Sequence, residues 1–125
     1  MKCRFSATWA AALVVFLALA VGSRAEAAPP AGDALFRQKC ALCHAVGGKG
    51  GKVGPDLTGV VGRKAAAMAY AYSPALRKAG VVWTPDGLDR FLQAPTRVLP
   101  GTRMVTSVPQ PDQRKAIIDF LARQK

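Results

Sequence analysis

The sequence predicts a small all-α protein, with short helices separated by two long loops. Three observations carry that prediction. Apolar residues recur at helical spacing in Leu88, Phe91 and Leu92, and again in Ile117, Ile118, Phe120 and Leu121. Ser-Pro and Thr-Pro pairs start helices, and Gly or Pro residues stop them. No stretch alternates apolar and polar residues as a half-buried strand would.

The first two dozen of the 125 residues read as an address. Lys2 and Arg4 form a basic start, Trp9 to Val21 is an uncharged apolar run, and Ala25-Glu26-Ala27 offers a small-x-small cleavage pattern. A membrane anchor is the competing reading. The apolar run of 13 residues is shorter than the roughly 20 that span a bilayer. Residues 1–27 are therefore expected to be a cleaved signal peptide and residues 28–125 a single domain in an exported, oxidising compartment, the periplasm in a bacterium. Cleavage removes Cys3 and lowers the formal charge from +11 to +9, since Lys2, Arg4, Arg24 and Glu26 leave with the peptide.

Within the mature chain, Ala28 to Gly32 is a short leader, and Asp33 is placed to cap a helix carrying Leu35 and Phe36. From His44 to Gly54 five glycines leave little to pack, so this stretch is a loop. Ser73-Pro74 supplies an N-cap and a first helical residue, and Gly80 ends that helix. Thr84-Pro85-Asp86 starts the next helix, which stops before Pro95. A second irregular stretch covers residues 95–111, and a final amphipathic helix of about three turns follows.

Two long loops and few large apolar residues make a thin core, and chains below about 100 residues commonly need a staple. Cys40-Ala41-Leu42-Cys43-His44 supplies one: C-x-x-C-H is the signature of covalent c-type haem attachment. Two thiols one helical turn apart each add to one haem vinyl group, and the adjacent His faces the iron from the same side. Other uses of these residues fit less well. A thioredoxin-like pair needs a βαβ context. Structural zinc needs four ligands, and the mature chain offers three. A disulfide across four residues leaves the core as thin as before.

His44 is the sole histidine, so bis-histidine ligation by this chain is excluded. The candidates for the far side of the iron are Met68 and Met104. Met68 lies in an alanine run and reads as a packing residue. Met104 follows a Pro100-Gly101 turn, 60 residues after His44, and reads as the axial ligand.

With these residues in place, the chain resembles the small soluble class I cytochromes c of mitochondria and the bacterial periplasm. The matching series is Gly32…Phe36, Cys40 to His44, Gly54-Pro55-Asp56-Leu57, Gly59, Gly62-Arg63, Tyr70 to Ser73, Trp83, Phe91-Leu92, Pro95 and Leu99 to Met104. The resemblance implies crossing N- and C-terminal helices with short helices and long loops around one covalent haem c. It implies thioether bonds from Cys40 and Cys43, with His44 and Met104 as axial iron ligands. Pro55 matches the proline whose carbonyl accepts a hydrogen bond from the proximal His. Arg63, Tyr72, Trp83 and Thr102 match the residues that serve the haem propionates. Phe91 stands in the crevice where many members have a tyrosine, and Leu76 where an amide is common, so this crevice is expected to be drier. The loop between His44 and Pro55 is one residue shorter than in the mitochondrial type.

Iron with both axial positions filled has no open site for substrate, so the expected work is one-electron transfer and not catalysis. Two alternatives stand beside a free periplasmic shuttle. One is a dedicated electron-accepting subunit of a periplasmic dehydrogenase or oxidase, and the other is a five-coordinate haem with peroxidase-like or ligand-binding activity. The basic balance favours docking of a monomer onto acidic patches of redox partners, such as membrane respiratory complexes or periplasmic oxidoreductases. Nucleic acid is disfavoured because the chain has no aromatic-rich binding face. Adsorption to a membrane surface would be weak and salt-sensitive. After cleavage no transmembrane span is expected. Lys39, Lys52, Arg97 and Arg103 match the family's docking ring, with Arg97 and Arg103 in place of lysines.

Overall fold

The computed structural model describes residues 31–47 and 53–125. The leader expected over residues 1–27, and Lys52, lie outside them. Five helices follow in order: α1 (Gly32–Lys39), α2 (Pro74–Lys78), α3 (Pro85–Gln93), α4 (Pro95–Val98) and α5 (Pro111–Ala122). Among the described residues the only β pairing is an isolated bridge between Lys64 and Val82. No helix there is long and apolar enough to cross a membrane.

The organising contact is the crossing of α1 and α5. Gly32 makes it close: a Cβ at that position would sit 2.1 Å from the Ala116 carbonyl oxygen and 2.8 Å from Phe120 Cβ. Phe36 then meets Phe120 with ring centroids 5.3 Å apart. Ile117 is fully buried at this junction, among Leu35, Leu88, Leu92, Val108, Ile118 and Leu121. Burying one such side chain stabilises the fold by roughly 1.5–3 kcal/mol.

Asp33 does not cap α1. The helix starts two residues earlier than an Asp33 cap would place it, because Gly32 belongs to the crossing, and Ala31 takes the cap position without a side-chain bond. Asp33 sits in the first turn and accepts from Arg37 Nη1 at 3.0 Å, one turn on. Its carboxyl is held below the usual range, first by the Ala34 backbone N–H and then by Arg37. The pair is exposed and contributes little.

The other caps follow the sequence. Ser73 Oγ accepts from the Leu76 amide at 3.2 Å and Thr84 Oγ1 from the Gly87 amide at 3.0 Å. Gly80, at φ +63°, stands just past α2. The stretch from residue 95 is not wholly irregular, since Pro95 both ends α3 and opens α4. Its ring presets φ for a first helical residue, and the Leu99 amide returns to the Pro95 carbonyl at 2.9 Å.

Candidate haem site

The attachment motif is built by local hydrogen bonds. Cys40 closes α1, and its carbonyl accepts from both the Cys43 amide (3.0 Å) and the His44 amide (2.8 Å). One further helical turn therefore presents Cys40, Cys43 and His44 to the same cavity. Both cysteines are free thiols and half-buried. Burial pushes the Cys40 thiol up to about 11, against the opposing pull of Lys39.

The chain then returns beneath the imidazole. The Gly54 amide donates to the Cys43 carbonyl at 2.8 Å, and the Leu57 amide to the Ala45 carbonyl at 2.9 Å. Gly54 lies flat under the ring: a Cβ there would come within 2.3 Å of His44 Cε1 and 2.6 Å of Nδ1. His44 Nδ1 donates to the Pro55 carbonyl at 2.8 Å. A carbonyl only accepts, so the proton belongs on Nδ1 and the lone pair on Nε2. This is the tautomer an iron ligand needs.

A mostly apolar cavity of about 390 Å³ opens from that ring, within the range of cofactor sites. Val60, Leu88, Leu92, Val108, Ile117 and Leu121 wall it. Of the residues expected from the sequence, Cys40, Cys43, His44, Pro55, Arg63, Tyr72, Trp83, Phe91, Thr102 and Met104 all reach it, as do Lys39 and Arg103 at its edge. Arg97 does not; it is exposed on α4. Met68 neither lines the cavity nor packs against the core, and the residue is 39% exposed. The alanine run carries it across the surface, with Ala66 at φ +58°.

Two staples bring the polar wall together. The Trp83 amide donates to the Arg63 carbonyl at 2.9 Å and the Gly62 amide to the Trp83 carbonyl at 2.8 Å. Trp83 packs on Phe91 with centroids 4.9 Å apart. The Arg63 guanidinium donates to the carbonyls of Thr58 (2.6 Å) and Asp56 (3.0 Å). That uses two of its five N–H donors, so others remain for an anionic group. Tyr72 is buried beside the exposed Tyr70, edge to face at 5.0 Å. The Tyr70 hydroxyl donates to the Val53 carbonyl. Thr102 Oγ1 accepts from the Met104 amide at 3.3 Å, at the mouth of the Met loop.

Paired thiols, one imidazole nitrogen and one thioether around an apolar cavity are the donor set of a c-type haem. The ring-flat approach of Gly54 and the Nδ1 proton on His44 fit the same group. Of the apolar walls, Leu88, Leu92, Ile117 and Leu121 read from the sequence as helix core, and Val60 and Val108 lie in irregular stretches that carry no such pattern. Their second role comes from the empty space they share, and no local pattern announces that.

The family profile of cytochrome c matches residues 30–125. The cytochrome c2 of Rhodopila globiformis is 42% identical over 106 residues, covering 83% of this chain and all of that one. Cytochrome c of Arabidopsis thaliana is 38% identical, covering 74% of this chain and 86% of that one. Among solved structures, cytochrome cH from Methylobacterium extorquens superposes with a TM-score of 0.67 at 40% identity, over 72% of this chain and 92% of that one. With its class I fold and one covalently attached haem c, this chain belongs to the cytochrome c family.

Proposed function

We propose that this electron carrier is a periplasmic shuttle whose haem iron is held between His44 and Met104. The observation that carries the reading is the His44–Pro55 hydrogen bond at 2.8 Å, beside an apolar cavity that Met104 also lines. The haem, once bound, supplies a one-electron ferric–ferrous couple. Everything else falls to the chain. Pro55 holds the imidazole in one tautomer and orientation. Met104, which lines the same cavity, would hold the iron from the far side with a soft donor that favours the ferrous state. Arg63, Tyr72, Trp83 and Thr102 supply hydrogen bonds to the propionates, whose burial without partners would be costly. Phe91 and the aliphatic wall keep water out.

With His44 and Met104 both holding the iron, no coordination site would be left for a substrate, which favours a carrier over an enzyme. Residues 1–27 are proposed as the cleaved export signal and residues 28–125 as the haem domain. Lys39, Lys52, Arg97 and Arg103 are proposed to meet acidic patches of redox partners, as a monomer. The test is a potentiometric titration of the purified holoprotein. The reading expects a single one-electron wave and low-spin spectra in both oxidation states. A high-spin ferric spectrum that shifts on adding cyanide at once would favour the five-coordinate alternative. Co-purification with a dehydrogenase from the native host would favour the dedicated subunit.

A further inference from the structure

A buried cation lies behind the Met104 loop, outside the cavity. Arg114 on α5 is 4% exposed. Its Nε and Nη2 donate to the two oxygens of Asp89 on α3, at 2.7 and 3.4 Å. Its Nη1 donates to the carbonyls of Val108 (3.0 Å) and Pro109 (2.8 Å). One guanidinium thus joins two helices to the end of the loop that carries Met104. A buried guanidinium is costly to leave unpaired, so the loop carbonyls are held where the fork points.

Val108 transmits that hold. It is 2% exposed, its amide donates to the Leu92 carbonyl at 2.8 Å, and it lines the cavity four residues after Met104. At the loop's other end the Thr102 amide donates to the Leu99 carbonyl at 3.1 Å, and Arg103 Nη1 to the Ala71 carbonyl at 2.8 Å. Residues 104–107 between these anchors form neither helix nor strand. A segment of that kind opens locally at a rate set by its anchors.

We propose that the Asp89–Arg114 pair positions the Met104 loop and sets how readily Met104 leaves the iron. The inference rests on Met104 as the axial ligand. Arg114 and Asp89 act through the loop backbone and are positioning residues. Loss of a plain α3–α5 staple would lower global stability alone, whereas loss of a loop clamp speeds ligand entry beyond any change in global stability.

The experiment uses ferric holoprotein and imidazole as the probe. The entry rate is read at saturating imidazole, where loop opening limits it, beside the far-red sulfur-to-iron charge-transfer band and the urea midpoint. Asp89→Asn is expected to raise the entry rate about ten-fold, the scale of one charge-assisted hydrogen bond. The control Ile118→Val, a comparable loss of global stability, is expected to change it by no more than about two-fold. Asp89→Glu, which keeps the carboxylate, is expected to return the rate towards wild type. An Asp89→Asn rate that is unchanged, or that rises only as the control does, overturns the clamp. If wild type shows no sulfur-to-iron band, the Met104 reading falls and the clamp with it. If the band is present but the rate is unmoved, only the clamp falls.

Discussion

The two sides of the cavity are held by different physics. His44 is fixed locally: its amide bonds four residues back to Cys40, its ring bonds to Pro55, and Gly54 lies flat beneath it. Met104 is fixed from afar. Its loop is anchored by Arg103 to Ala71, by Val108 to Leu92, and by Arg114 across to Asp89. A ligand set by a local turn and two covalent bonds survives partial unfolding. One set by tertiary contacts leaves when any of those contacts loosens. Under the proposed ligation the proximal side is an anchor, and the distal side is the one open to tuning.

The largest expected effect comes from cutting the anchor. Cys40→Ser with Cys43→Ser should leave haem that acid-acetone extracts, or no folded protein at all, because the thin core loses its staple. In wild type the haem should stay with the denatured chain, and free thiols should be undetectable. Next comes removal of the distal donor. Met104→Ala should open the iron to cyanide and confer peroxidase activity, whereas Met68→Leu, an exposed and nearly volume-conserving swap, should leave the spectrum unchanged. Optical titration of both variants checks this.

A smaller change sharpens the proximal side. Gly54→Ala places a methyl within 2.3 Å of His44 Cε1. The ring must tilt away from Pro55, costing about 1–3 kcal/mol by overpacking. The urea midpoint of the holoprotein should fall while the haem stays covalently bound. Smaller still, and dependent on salt, is the docking effect. Lys39→Glu with Arg97→Glu should slow reaction with an acidic redox partner by about ten-fold at low ionic strength. The deficit should shrink as the screening length falls to about 10 Å at 0.1 M salt. Lys115→Glu with Arg123→Glu, at exposed positions that do not line the cavity, makes the same change in net charge and should slow the reaction less. Equal slowing would mean that net charge alone steers the encounter.

The same local-versus-distant contrast explains what the sequence made legible. Cys40 to His44, the Ser73 and Thr84 caps and the α5 stripe are short-range patterns, and each maps onto a hydrogen bond or a buried face. Asp33 does not cap α1 because the start of the helix is decided by Gly32 against Ala116, a contact between helices at opposite ends of the domain. The α4 turn was hidden because Pro95 serves as a stop for one helix and a start for another. Met68 lies on the surface because nothing local tells an alanine run that packs from one that crosses the exterior. Arg114 carries half of a signal. It precedes Ile117, Ile118 and Leu121 by three, four and seven residues, so it belongs to the buried face of α5. An arginine on a buried stripe requires a partner, but Asp89 is 25 residues away and no spacing rule reaches it.

The distal assignment is the central claim, and methyl NMR of the ferrous holoprotein tests it most directly. With methyl-labelled methionine, the mature chain should give two signals, from Met68 and Met104. The account predicts that one lies far upfield, above the face of the haem ring, and that it vanishes in Met104→Leu while surviving in Met68→Leu. An upfield signal that disappears with Met68, or two methyls both at ordinary shifts, would contradict it.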